Sequence, residues 1–165
     1  MVNIKNIVIV LLVILAAGFI AIRFWPGDER AIRKQLALIE EAGSRDPAEK
    51  PVESLLKSRQ IAGLFNDPCE LTIEAADYRG VFDRKQIMDR LALVRSSSSR
   101  VIVEIYDISI DFPEKQTAAV SLTLRLRSES GNDTVADVHE VAATLRKIEG
   151  TWLFTSVRIV EVLER

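Results

Sequence analysis

His139 is the only histidine in a chain of 165 residues, and Asp137 stands two positions before it. Val141, Ala143 and Leu145 follow in the same alternation. If those apolar residues face a core, His139 and Asp137 point the same way, because the side chains of a strand alternate between faces. A histidine and a carboxylate on an apolar face suit acid–base chemistry, since burial and a neighbouring charge tune a proton acceptor toward neutral pH. Residues two apart on one face sit about 6.5–7 Å apart along a strand, which favours flanking a ligand over bonding one another. The competing reading is a solvated pair at an open mouth near a hairpin.

Tyr78 and Tyr106 add two phenols that can hydrogen-bond a ligand, and Trp152 and Phe154 two rings that stack on a flat one. Aromatics at strand spacing serve a core equally well. With Asp137 and His139, the residues Tyr78, Tyr106 and Trp152 make up the candidate ligand pocket. Cys69, beside a turn, has no activating partner in sequence and is expected to be inert. One histidine and one cysteine argue against a zinc site, and neither a phosphate loop nor a nucleophile elbow occurs, so no metal or cofactor is expected. Ser96 to Ser99 reads as a polar connection. Asn132-Asp133-Thr134 fits a glycosylation sequon, relevant only in a eukaryotic secretory pathway.

The elements that must hold these residues follow from periodicity. Asp28 is a candidate cap for a helix from about Glu29 to Ala42, with Ile32, Leu36 and Ile39 on one stripe. A second helix is predicted from Ala48 or Pro51 to Phe65, burying Val52, Leu55, Leu56, Ile61, Leu64 and Phe65. Asn66-Asp67-Pro68 breaks the chain, and two short strands follow near Leu71–Ala75 and Tyr78–Phe82. Asp83 caps a third helix to about Arg95, with Ile87, Leu91 and Val94 inward. Residues 101–112 alternate with a phase shift between Ile105 and Ile108, which predicts a bulge near Tyr106-Asp107. Ala118, Val120, Leu122, Leu124 and Leu126 form the cleanest alternating face. Strands over about Thr134–Lys147 and Thr151–Leu163 complete the order.

Helix, helix, short strand pair, helix and a long meander resemble the nuclear transport factor 2-like superfamily, which includes ketosteroid isomerases and polyketide cyclase-like proteins. Tyr78-Arg79-Gly80-Val81-Phe82-Asp83-Arg84 leading into a helix is similar to its members, as is Leu145-Arg146-Lys147-Ile148-Glu149-Gly150-Thr151-Trp152 joining the last strands. The resemblance covers residues 28–165. It implies an α+β fold: a cone of three helices packed on a curved antiparallel sheet, often with an interior pocket and often dimeric through the outer sheet face. No residue here matches the isomerase constellation by a shared motif, so that mechanism does not carry over. The superfamily mixes enzymes with non-catalytic domains.

Residues 1–27 read as a separate unit. Ile7 to Ile22 carries no charge; through Trp25 it would span about 28 Å as a helix, close to a bilayer core of about 30 Å. An uncleaved transmembrane anchor is expected over Ile7–Trp25, with Phe24 and Trp25 at the interface and Pro26-Gly27 as a hinge. A cleaved signal is the alternative; Ala16-Ala17-Gly18, the nearest cleavage pattern, lies inside the apolar run. The export-like start places the domain outside the cytoplasm, in the periplasm if the cell is bacterial, whereas the positive-inside count leans the other way. Residues 28–165 hold 20 basic against 24 acidic side chains, a net charge of −4 without the basic footprint that nucleic-acid binding needs. Two functions fit. One is a membrane-tethered, non-catalytic domain that pairs through an outer sheet face of Ala119, Ser121, Thr123, Ala142, Thr144, Ser156, Val160 and Val162. The other is a carrier of, or acid–base enzyme acting on, a small apolar ligand held in the cone.

Overall fold

The computed structural model describes residues 26–130 and 133–163. The expected anchor at Ile7–Trp25, and Asn132 of the sequon, lie outside them. Among the described residues no helix is long and apolar enough to cross a membrane. The chain divides into two compact units, Met1–Lys34 and Gln35–Arg165.

Helix α1 spans Pro26–Gly43 and crosses that division. It begins at Pro26, so Pro26-Gly27 forms its first turn instead of a hinge, and Asp28 lies in that turn instead of capping it. Proline is tolerated there because the first N–H groups of a helix have no intrahelical partner. In the first unit Arg33 pairs with Glu29 at 2.8 Å, one turn away. In the second unit Leu36 and Ala42 are buried, and Gln35 Nε2 donates to the Trp152 carbonyl at 2.6 Å.

The second unit continues with α2 (Pro51–Ala62), β1 (Phe65–Ile73), a 3-10 turn (Glu74–Ala76), β2 (Tyr78–Phe82) and α3 (Arg84–Ser97). Four long strands follow: β3 (Arg100–Glu114), β4 (Thr117–Ser130), β5 (Asp133–Ile148) and β6 (Thr151–Leu163). They form one sheet in the order β2-β1-β6-β5-β4-β3. Its ladders are antiparallel except β1–β6, which is parallel. The sheet is therefore mixed, correcting the expected antiparallel one. The chain through α2 returns to the sheet beside its last strand, a pairing that no local pattern announces.

The expected bulge is present. The β3–β4 register slips between Tyr106 and Ser109, and Asp107 takes a positive φ of 52°. Further slips in β5–β6 beside Val141 and Leu145 bend the sheet again. Its inner face buries Val101, Val103, Ala118, Val120, Leu122, Val141, Ala143, Leu145, Trp152 and Phe154.

The helices differ most from expectation in their rotation. On α2 the buried residues are Ser58, Ile61 and Ala62, while Val52, Leu55 and Leu56 are 53–70% exposed. On α3 Val94 is exposed and Arg95 buried. The cause is a polar centre between the helices. The Arg95 guanidinium meets both Glu49 carboxylate oxygens at 2.7 Å, the Ala42 and Gly43 carbonyls at 2.6 and 2.9 Å, and Ser54 Oγ at 3.1 Å. It ties the C-terminal end of α1 to α2 and α3, and the faces carrying Ser54 and Arg95 must turn inward to build it.

Asp83 caps α3 as expected: its carboxylate accepts from the Gln86 N–H at 2.7 Å, and Gln86 Oε1 accepts from the Asp83 N–H at 3.0 Å. Asp83→Ala removes this reciprocal pair. A loss of about 1 kcal/mol in urea unfolding is expected; no change would mean that tertiary contacts alone hold the start of α3.

Candidate functional site

The strand parity read from the sequence holds. His139 on β5 is paired with Leu124 of β4, itself paired with Ile105 of β3. One row on, Asp137 pairs with Leu126, which pairs with Val103. Both candidates therefore share the inner face with apolar neighbours, and both are half-buried. His139 Nδ1 is buried with no hydrogen-bond partner. No hydrogen bond or ion pair joins His139 to Asp137 among the described residues, as their spacing implied. A buried imidazole nitrogen without a partner is costly, and it is the kind of group a ligand donor or an ordered water would satisfy.

The other three candidates are not gathered around this pair. Tyr78 belongs to the neighbouring row through Ile73, Ile159 and Val141, but it lies three strands from His139, roughly 14 Å at usual strand spacing. Its ring is partly exposed, stacks 6.4 Å from Phe82, and borders a surface depression with Thr72, Glu74, Asp77 and Arg79. Tyr106 lies on the opposite, outer face and is exposed. A hydrogen bond to Glu104, with desolvation and the Glu104 charge, raises its phenol above the ordinary value, and the Arg125 guanidinium lies 5.5 Å from its ring centroid. Trp152 pairs with Lys147, eight positions from His139 along β5. It is buried edge-on against Phe112 at 5.8 Å. Cys69 is buried too, and burial with the neighbouring Glu70 charge pushes its thiol up to about 11. That is the reverse of an activated nucleophile. Among the described residues no three metal-ligating side chains converge.

The outer face holds a better-formed feature. Ladder register aligns Asp111, Ala119, Thr144 and Ser156 in one row and Ser109, Ser121, Ala142 and Arg158 in the next. Two shallow depressions of about 210 and 260 Å³ adjoin here and share Ser121 and Ala142. Thr123, Glu140, Val160 and Asp107 border the second. The short side chains leave a trough open across β3 to β6, with Asp111 on one side and Arg158 on the other. Val162, expected on this face, is the register partner of inner-face His139.

No protein-family model matches the chain, and no curated protein matches it. Solved structures do. A protein from Novosphingobium aromaticivorans, provisionally named a scytalone dehydratase, superposes with a TM-score of 0.64 at 15% identity over 84% of this chain and 87% of its own. A provisionally named dehydratase of the NTF2-like family from Streptomyces avermitilis gives 0.61 at 14% identity, over 83% and 97%. A protein with a cystatin-like fold from Nostoc punctiforme gives 0.59 at 16% identity, over 82% and 91%. The described domain thus has the nuclear transport factor 2-like fold. At these identities the likeness concerns fold, and the chemistry must be argued from this chain's own residues.

Proposed function

We propose that the chain is a membrane-tethered, non-catalytic interaction domain that pairs with a second copy through the outer face of its sheet. The observation that carries this is the open trough of Ala119, Ser121, Ala142, Thr144 and Ser156. Two such faces can stack at about 10 Å, because the side chains in the middle of the trough are short. The trough is also complementary to itself. A twofold axis running along the strands between β4 and β5 would set Arg158 of one copy above β3 of the other, within reach of Asp111. The tether is the uncharged run Ile7–Ile22, and the export-like start favours a domain outside the cytoplasm. Sedimentation equilibrium of the full chain in a density-matched nonionic detergent tests the pairing. A dimer in the micromolar range is expected; a monomer throughout would overturn it.

A second reading rests on the unpartnered His139 Nδ1. In it the inner face near His139 and Asp137 takes a small apolar molecule bearing one hydrogen-bond donor, as a carrier or as an acid–base site. Native mass spectrometry of the gently purified chain should then show an adduct of low mass that His139→Ala weakens. An adduct-free spectrum from both proteins would remove this reading.

A further inference from the structure

The rotation of α2 and α3 leaves apolar side chains without a cover. Val52, Leu55 and Leu56 recur at i, i+3 and i+4 on α2, so they share one side of it. Leu93 and Val94 stand out from α3, 69% and 59% exposed. This half of the domain also carries unusual charge. Counted over residues 49–62 and 83–97, seven basic side chains stand against four acidic ones, in a chain whose net charge is −2. Some of this charge is used internally, since Arg95 is held by Glu49 and Lys57 by Glu49 and Glu53. Lys85 pairs with Asp89, Arg84 donates to the Phe65 carbonyl and Arg90 lies 4.6 Å over the Phe82 ring, whereas Arg59 is exposed on the side of α2 that carries Leu55 and Leu56. Apolar side chains flanked by basic ones on a helix suit the boundary between headgroups and acyl chains.

We infer that the exposed apolar sides of α2 and α3 rest on an anionic lipid surface, giving the domain a second membrane contact beyond its tether. The inference rests on the tether proposed above. Only Arg23, Phe24 and Trp25 separate the uncharged run from the first residue of α1. A connection that short holds the domain at high effective concentration next to the bilayer, where a weak contact is populated. The anionic headgroups complement the basic residues, and the acyl boundary takes Val52, Leu55, Leu56, Leu93 and Val94. The outer sheet face belongs to a different surface and stays available for pairing.

The test uses the full chain reconstituted in vesicles of phosphatidylcholine mixed with phosphatidylglycerol. Leu55→Cys and Leu93→Cys each accept an environment-sensitive thiol dye, while Cys69, buried and poorly ionised, does not compete. Arg79→Cys, on an exposed site of β2, serves as the control. Dyes at 55 and 93 should shift to the blue and lose emission to a quencher attached to lipid chains; the dye at 79 should do neither. The shift should shrink in phosphatidylcholine alone. Vesicles that float with the chain while all three dyes behave alike would overturn the lipid contact and leave the tether standing. A chain that fails to float would overturn both. Dyes at 55 and 93 that shift to the blue in vesicles yet are not quenched from the lipid chains would show that a protein surface covers these helices, which also overturns the inference. Circular dichroism of each variant confirms that the fold is intact.

Discussion

Arg95→Met is expected to cost about 3–5 kcal/mol in urea unfolding, a large share of the about 5–15 kcal/mol that holds a domain folded. The side chain is 3% exposed and its Glu49 partner 1% exposed. Removing the guanidinium strips Glu49 of its main counter-charge and leaves the Ala42 and Gly43 carbonyls, at the end of α1, without their donor. Lys57, 2.8 Å from Glu49, compensates for the carboxylate but not for the carbonyls. Glu49→Gln should be of similar severity, since it strands a buried cation. A double-mutant cycle should then give a coupling well above 1 kcal/mol, against a few tenths for an exposed pair. Acid gives the same result by another route. Burial raises the Glu49 carboxyl, but hydrogen bonds from Lys57 and Arg95 and the Arg95 charge outweigh it and hold the group below its ordinary value. A depressed carboxyl contributes stability that is full above its unfolded value of about 4.3 and is lost as pH falls through the folded value. Acid unfolding should therefore start below about pH 4, and Glu49→Gln should flatten it. A loss under 1 kcal/mol for Arg95→Met would show that the helices are held by apolar packing instead.

This centre marks where the sequence stops being readable. Strand parity was legible because Val141, Ala143 and Leu145 continue the alternation of Asp137 and His139, so one assumption about the core placed both on the inner face. The bulge at Tyr106-Asp107 was legible for the same reason, as a break in an otherwise regular phase. Helix rotation was not. Val52, Leu55 and Leu56 form as good a stripe as any buried one, and the stripe faces outward because Ser54, on the opposite side of α2, is needed beside Arg95. A signal did exist on α3: Ile87 and Leu91 continue at the same spacing to Arg95, not to Val94. A charged residue on the core phase of a helix, with Glu49 upstream to neutralise it, marks a buried pair. Tyr106 was misplaced for a related reason. It precedes the bulge on the phase of Glu104, whereas Ile108 and Ile110 lie after the slip, so its face cannot be read from them. The parallel β1–β6 pairing had no local signal, being set by where α2 and α3 pack.

Ala142→Arg should weaken the dimer at least about 100-fold while leaving the monomer folded. The position is central, shared by both depressions of the trough and flanked in register by Ser121 on β4 and Arg158 on β6. In the monomer an arginine there extends into solvent, so the sheet should lose at most a few tenths of a kcal/mol. In the dimer the same side chain meets Ser121 of the second copy across a gap sized for alanine and serine. It must bury a charge beside Arg158 or force the sheets apart, a cost of at least about 2.7 kcal/mol, which corresponds to 100-fold in dissociation constant. Charge reversal at the rim separates packing from electrostatics. Arg158→Asp alone should set like charges opposite Asp111 and weaken pairing, and Asp111→Arg added to it should recover the loss if the two residues meet across the twofold. Arg158 also lies 3.7 Å from Glu74 within its own chain. A defect arising only from that intramolecular pair would not be rescued by Asp111→Arg. Unchanged sedimentation for Ala142→Arg would remove the outer face from the interface and leave the reading built on the unpartnered His139 Nδ1.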